Sequence, residues 1–173
     1  DLHRHGRGTG LRARLMNASV QHASGTHAEL AISATIDDVL VASTWLGRTG
    51  AEHGLPADQI TRLDQCLDEA LANVIAHAGP TARDHSVKLV LVTQSQADQR
   101  EAAITVIDSG TAFDPLSVQP KPRPASLFDA EPGGLGLTMM RTFADALEYR
   151  HDAGRNHLTF RVRWDESTRG TQD

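Results

Sequence analysis

The chain has 173 residues, enough for one domain with a real hydrophobic core and too few for two of ordinary size, so a single site is expected. Acidic side chains number 22 against 17 basic ones, a formal net charge of -5, and Lys and Arg are scattered rather than interleaved with aromatics, which argues against a nucleic-acid footprint. The single cysteine, Cys66, excludes an intramolecular disulfide and fits a reducing, cytoplasmic setting, while the lack of any apolar run near about 20 residues argues against membrane insertion or export.

Residues 1–27 carry Gly6, Gly8 and Gly10 with several Arg and His and no hydrophobic period, and are expected to be a disordered tail or a linker from a larger parent protein. From Ala28 to Ile36, Leu30, Ile32, Ala34 and Ile36 alternate with Glu29, Ala31, Ser33 and Thr35, the period-2 signature of a strand with one buried face. Asp37 and Asp38 then offer an N-cap and early negative charge for a helix to about Ala51. After Pro56 a longer helix is predicted from Ala57 to Ala78, stopped by Gly79 and Pro80, with Ile60, Leu63, Leu67, Leu71, Val74 and Ala78 on one apolar stripe.

Val87–Val92 and Ala103–Ile107 read as antiparallel strands joined by a polar hairpin loop over Ser95–Glu101. Between Ser109 and Pro132 lie five of the seven prolines and no period, a long irregular loop of the kind that carries function. Gly133-Gly134-Leu135-Gly136-Leu137 opens a helix predicted to run to about Ala146. Leu147–His151 and Leu158–Trp164 complete the domain as strands around a turn at Asp152–Asn156, and 166–173 is a second tail. The order β-α-α-β-β-α-β-β suits a sheet with helices on one face, and no internal repeat is found.

Three pieces carry chemistry. Glu69 and Asn73 stand four residues apart on the long helix, so their side chains lie one above the other, with His77 one turn later. A carboxamide there can ligate Mg²⁺ and a carboxylate can accept a proton from an attacking hydroxyl, although such a pair alone also fits a solvated helix face. Asp108 ends a strand and enters Ser109-Gly110-Thr111-Ala112-Phe113-Asp114; a carboxylate fixed there suits the exocyclic amine of adenine, and an ordinary Asp-Ser-Gly turn is the plain alternative. Gly133, Gly134 and Gly136 precede or open a helix, where free N–H groups and the dipole favour phosphate. No Lys-Ser or Lys-Thr follows them, so this is no P-loop, and the flanking elements do not fit a dinucleotide-binding fingerprint.

The order of these pieces resembles the GHKL ATPase superfamily, which includes histidine kinases, type II topoisomerases, Hsp90 chaperones and MutL. Glu69–Ala78 is similar to its N-box, Asp108–Pro115 to its first glycine box, and Gly133–Leu137 to its second. The His77-Ala78 ending and the Gly-Gly-Leu-Gly-Leu box most resemble the RsbW-like anti-sigma factor serine kinases, over about Ala28–Trp164 within a 28–165 domain.

The resemblance implies a Bergerat-type two-layer α+β sandwich, with a mixed, mainly antiparallel sheet and helices on one face. It implies ATP and Mg²⁺, with Glu69 as general base, Asn73 as magnesium ligand and Asp108 as adenine anchor. His77, Gly110, Ala112, Phe113, Gly133, Gly134, Gly136 and Leu137 would be further nucleotide contacts, and the proline-rich stretch the lid. Its partners would be a STAS-domain anti-anti-sigma protein phosphorylated on Ser or Thr, a sigma factor, and a second copy in a homodimer. Ala112 departs from the pattern, standing where a second glycine is usual.

Other functions weighed are the catalytic half of a histidine kinase, a kinase module of a larger phosphatase or response-regulator protein, and a binding module that has lost transfer. No phospho-acceptor His helix is seen for the first, and Glu69 argues against the last. The nine histidines include no His-x-x-x-His pair, so a transition-metal site is not expected. Cys66 reads as a small apolar helix residue, and Trp45 and Trp164 as core or interface.

Overall fold

A computed structural model describes residues 24–77, 84, 86–117 and 134–166. The N-terminal tail as far as residue 23, the helix stop at Ala78-Gly79-Pro80, most of the proline-rich stretch, Gly133 and the residues after 166 lie outside the described residues.

Five strands, β1 (Ser24–Ile32), β2 (Val87–Gln96), β3 (Gln99–Asp108), β4 (Ala146–Asp152) and β5 (Arg155–Asp165), form one sheet in the order β1-β2-β3-β5-β4. Every pairing among them is antiparallel, so the expected mixed sheet is antiparallel throughout the described residues. The helices are α1 (Ile36–Glu52), α2 (Ala57–His77) and α3 (Gly134–Phe143). The expected element order and the two-layer α+β architecture both hold.

Alternation makes the core. Val87, Leu89 and Leu91 of β2, Ala102, Ile104 and Val106 of β3, and Leu158, Phe160 and Val162 of β5 turn one face of the sheet inward. They bury against Leu63, Cys66, Leu67, Ala70, Leu71 and Val74 of α2 and Leu46 of α1. The buried stripe of α2 is wider than the predicted one, and Ile60 sits at its margin. Trp45 and Trp164 pack against this core as partly buried residues.

Several boundaries move for physical reasons. β1 begins at Ser24, four residues before the expected domain start, and the strand stops at Ile32. Thr35, not Asp37 or Asp38, is the N-cap of α1: its Oγ1 accepts from the Asp38 N–H, and Asp38 reaches back to accept from the Ser33 N–H and the Thr35 hydroxyl. Ile36 is therefore the first helical residue and stands 80% exposed rather than extending the strand.

The polar stretch 95–101 is mostly strand. Only Ala97 and Asp98 form the turn, with Ala97 at φ 52°, and the polar side chains Gln94, Gln96 and Gln99 point outward at the end of the hairpin. The β4–β5 hairpin likewise turns on two residues, Ala153 (φ 50°) and Gly154 (φ 72°), a left-handed pair that suits glycine at its second position. α3 ends at Phe143 instead of Ala146, because the Asp145 N–H is already bonded to the Arg161 carbonyl and Ala146 has entered β4.

Candidate active site

The C-terminal half of α2 leans over the ends of β3 and β5, and a small open cavity of about 40 Å³ lies between them. Ala70, Asn73, Val74 and His77 form its helical wall, Val106 and Leu158 its apolar floor, and Asp108 and Asn156 its polar end. The loop after β3 closes one side with Thr111, Phe113 and Pro115, and Tyr149 of β4 closes another. A mainly apolar pocket with a few convergent polar groups is the general form of a small-ligand site.

Asp108 and Asn156 are paired across β3 and β5. The Gly110 N–H and Asn156 Nδ2 both donate to Asp108 Oδ1, at 2.9 and 3.0 Å. Asn156 is only 6% exposed. Its amide also donates to the carbonyls of Gly110 and Thr111, while its Oδ1 accepts from the Phe113 N–H and, at 2.6 Å, from the Tyr149 hydroxyl. Burial, with the nearby Asp114 and Asp108 carboxylates, holds the Tyr149 phenol above its ordinary pKa against a backbone bond from Phe113, so the O–H is a donor at neutral pH.

The His77 ring stacks on Phe113 with centroids 4.6 Å apart and planes 22° from parallel, which ties the end of α2 to the loop. Ala112 is exposed and does not line this cavity, whereas Gly110 shapes the loop through its N–H and carbonyl. Leu137 does not face the cavity; it is 8% exposed and belongs to the hydrophobic core with Met140.

Glu69 lies outside the cavity wall, one turn before Asn73, and faces α3. A Cβ built on Gly136 would overlap Glu69 Oε2, so the carboxylate rests directly against the backbone of the first turn of α3. Gly134 opens that same turn. Among the described residues neither the Glu69 carboxylate nor the Asn73 carboxamide has a hydrogen-bond partner. The structure thus gathers Asn73, His77, Asp108 and Phe113 around one cavity and sets Glu69 beside Gly136 at its edge.

Cys66, on the inner side of α2, is fully buried with its thiol directed to the Met140 carbonyl at 3.9 Å, and burial pushes its pKa up to about 12. It is a core residue and no nucleophile. Among the described residues no group of three or more His, Cys, Asp or Glu side chains is placed to hold a metal ion. No helix among them is long and apolar enough to cross a membrane.

Sequence reading missed Asn156 and Tyr149. The signal was there: residue 156 has the same parity as buried Leu158, Phe160 and Val162, so a polar side chain at that position must face inward and find partners.

Residues 32–162 match the model of the histidine kinase-like ATPase domain. The chain belongs to that family. Among curated relatives of this ATPase domain, the serine/threonine-protein kinase BtrW of Bordetella bronchiseptica is 35% identical over 130 residues, which is 75% of this chain and 89% of that protein. The anti-sigma F factor of Clostridium beijerinckii is 30% identical over 97 residues, 56% of this chain and 65% of that one. The RsbU and RsbW domains of Rv1364c from Mycobacterium tuberculosis share the fold, with a TM-score of 0.51 at 20% identity, over 78% of this chain and 32% of that one. These relatives bear out the resemblance to the RsbW-like anti-sigma factor kinases within the GHKL superfamily, and with it an ATP-binding kinase or ATPase domain.

Proposed function

We propose that the chain is a protein serine/threonine kinase that transfers the γ-phosphoryl group of ATP to a hydroxyl of a STAS-domain partner. The observation that carries this reading is the placement of Glu69. Among the described residues its carboxylate has no hydrogen-bond partner, and it lies against the backbone of Gly136 in the first turn of a helix, where N–H groups without intrahelical partners favour phosphate.

The residues present fit ATP. The apolar walls Ala70, Val74, Val106 and Leu158 suit a purine ring, and Asp108 stands at the polar end to accept from its amine. The absence of a side chain at Gly136 lets the Glu69 carboxylate sit against the start of α3, in space that any Cβ would take. Asn73 offers a neutral oxygen to Mg²⁺, whose other ligands would be phosphate oxygens and water, the usual arrangement for this ion. Bound Mg²⁺ supplies neutralisation of charge on the phosphates.

Phosphoryl transfer depends mostly on positioning and electrostatics, and the chain divides that work. Asp108 and the loop it anchors orient the base. The first turn of α3 receives the phosphates, and Glu69 accepts the proton of the incoming hydroxyl as its oxygen bonds to the γ-phosphorus and the bond from that phosphorus to the β,γ-bridging oxygen breaks, releasing ADP. The partner-switching extension, in which a homodimer in the cytoplasm holds a sigma factor until the STAS protein displaces it, draws its sigma factor from the name of the anti-sigma F relatives and the rest from the family resemblance.

Incubation with γ-labelled ATP, magnesium and a STAS-domain protein tests the reading. The label should pass to a Ser or Thr of the partner. Label on a histidine of the chain itself, or label that never leaves ATP, would contradict it.

A further inference from the structure

We propose that Asn156, oriented by Tyr149, is the positioning residue that makes the Asp108 end of the cavity selective for a 6-amino purine. The inference rests on the nucleotide-binding reading above and concerns residues that reading does not use.

The orientation of the Asn156 amide is unambiguous. A backbone N–H can only donate and a backbone carbonyl can only accept. Phe113 N–H lies at 3.3 Å from one end of the amide, and the carbonyls of Thr111 and Gly110 lie at 3.1 and 3.3 Å from the other. The first end is therefore the oxygen, the second the NH₂, and the Tyr149 O–H at 2.6 Å completes the oxygen's set. Turning the amide over would set donor against donor and acceptor against acceptor, all inside a buried site.

The fixed NH₂ in turn fixes Asp108. Its Oδ1 accepts from Asn156 and from the Gly110 N–H, while Oδ2 has no partner among the described residues and is the acceptor left for a ligand in the cavity. A 6-amino group donates to that oxygen. A 6-oxo group presents an acceptor to an acceptor and leaves both unpaired, a mismatch that polar sites reject strongly. Asn156 touches no part of the bound base in this scheme; it acts by holding the carboxylate and the 110–113 loop in one arrangement.

The test is a double-mutant cycle between protein and ligand. Binding of ATP and of purine riboside triphosphate, which lacks the 6-amino group, is measured by calorimetry for the whole wild-type chain, for Asn156→Ala and for Tyr149→Phe. Wild type should prefer ATP by about tenfold or more, the usual effect of one hydrogen bond to a charged group. Asn156→Ala should reduce the preference to within about threefold by weakening ATP, with the analogue's affinity nearly unchanged.

Loss of folded protein alone would scale both ligands together and leave the ratio intact. An undiminished ratio in Asn156→Ala, or equal binding of the two ligands by wild type, would overturn the inference while leaving nucleotide binding in place. Tyr149→Phe keeps the ring and removes only the O–H; it should lower the preference by about threefold, and if Asn156→Ala does not fold, an unchanged ratio in Tyr149→Phe overturns the proposal. Failure of wild type to bind either ligand would instead remove the nucleotide reading itself.

Discussion

The carboxylate of Glu69 on α2 occupies the space that any side chain at position 136 of α3 would need. Two segments 67 residues apart in sequence are thereby brought into contact through one carboxylate and one bare Cα. The relationship explains why a glycine stands inside a helix, where it costs about 0.5–1 kcal/mol relative to alanine.

Gly136→Ala tests that relationship. The added methyl displaces the far end of a flexible, partly exposed side chain, so stability should change by less than about 1 kcal/mol, the lost contact being offset by better helix propensity. Phosphoryl transfer should fall by about 10- to 100-fold because Glu69 is moved from its place. Thermal unfolding and initial transfer rates measured on the same preparation check both halves. Unchanged transfer would show that the contact is incidental.

A second junction sets the other end of α3. Arg62 of α2 donates to the Phe143 carbonyl and to Gln59 Oε1, and its Nη2 pairs with Asp145 at 2.9 Å, while the Arg163 N–H donates to Asp145 at 2.6 Å. Burial by itself would raise the Asp145 carboxyl, but the bonds from Arg62 and the Arg163 N–H, with both cation charges, outweigh it and hold the group below its ordinary value of 3.8.

A folded-state pKa below the unfolded one means that Asp145 stabilises fully above the unfolded value and that this contribution disappears as pH falls through the folded one. Asp145→Asn should lose about 1 kcal/mol at neutral pH, a modest figure because the carboxylate is 36% exposed and screened. Urea unfolding at a series of pH values should show that gap constant down to about pH 4 and closing below it. A gap that widens in acid would refute the assignment.

The Cys66 thiol offers a probe of the core. With its pKa pushed up to about 12 by burial, and the side chain fully covered, it should resist a thiol reagent such as DTNB at pH 8. Reaction should follow the rate at which the chain opens, and become immediate in denaturant. Rapid labelling of the native chain would mean that α2 does not pack as described.

Much of this was legible in the sequence because period and motif agree. β2 and β3 announce themselves by runs of β-branched and apolar residues, and the spacing of Glu69, Asn73 and His77 places them along one side of α2. What failed were places where polar residues are structural. Ser95–Glu101 looks like loop because its side chains are mostly polar, yet backbone pairing continues through all of it but Ala97 and Asp98. Ile36 looked like strand because its neighbours alternate, and only the Thr35 and Asp38 capping exchange decides that a helix has begun. Leu137 sits in a glycine motif but obeys the apolar period of α3 and goes to the core. Asn156 reads as turn polarity beside Gly154, although its parity with Leu158, Phe160 and Val162 requires it to be buried.

The most direct test separates binding from transfer at Glu69. Affinity for magnesium-ATP, measured by calorimetry, is compared with labelling of a STAS-domain partner from γ-labelled ATP, for wild type and Glu69→Ala. Binding should stay within about threefold of wild type while transfer falls by at least about 100-fold, the range expected for loss of a general base. Transfer by Glu69→Ala at the wild-type rate would contradict the assigned mechanism.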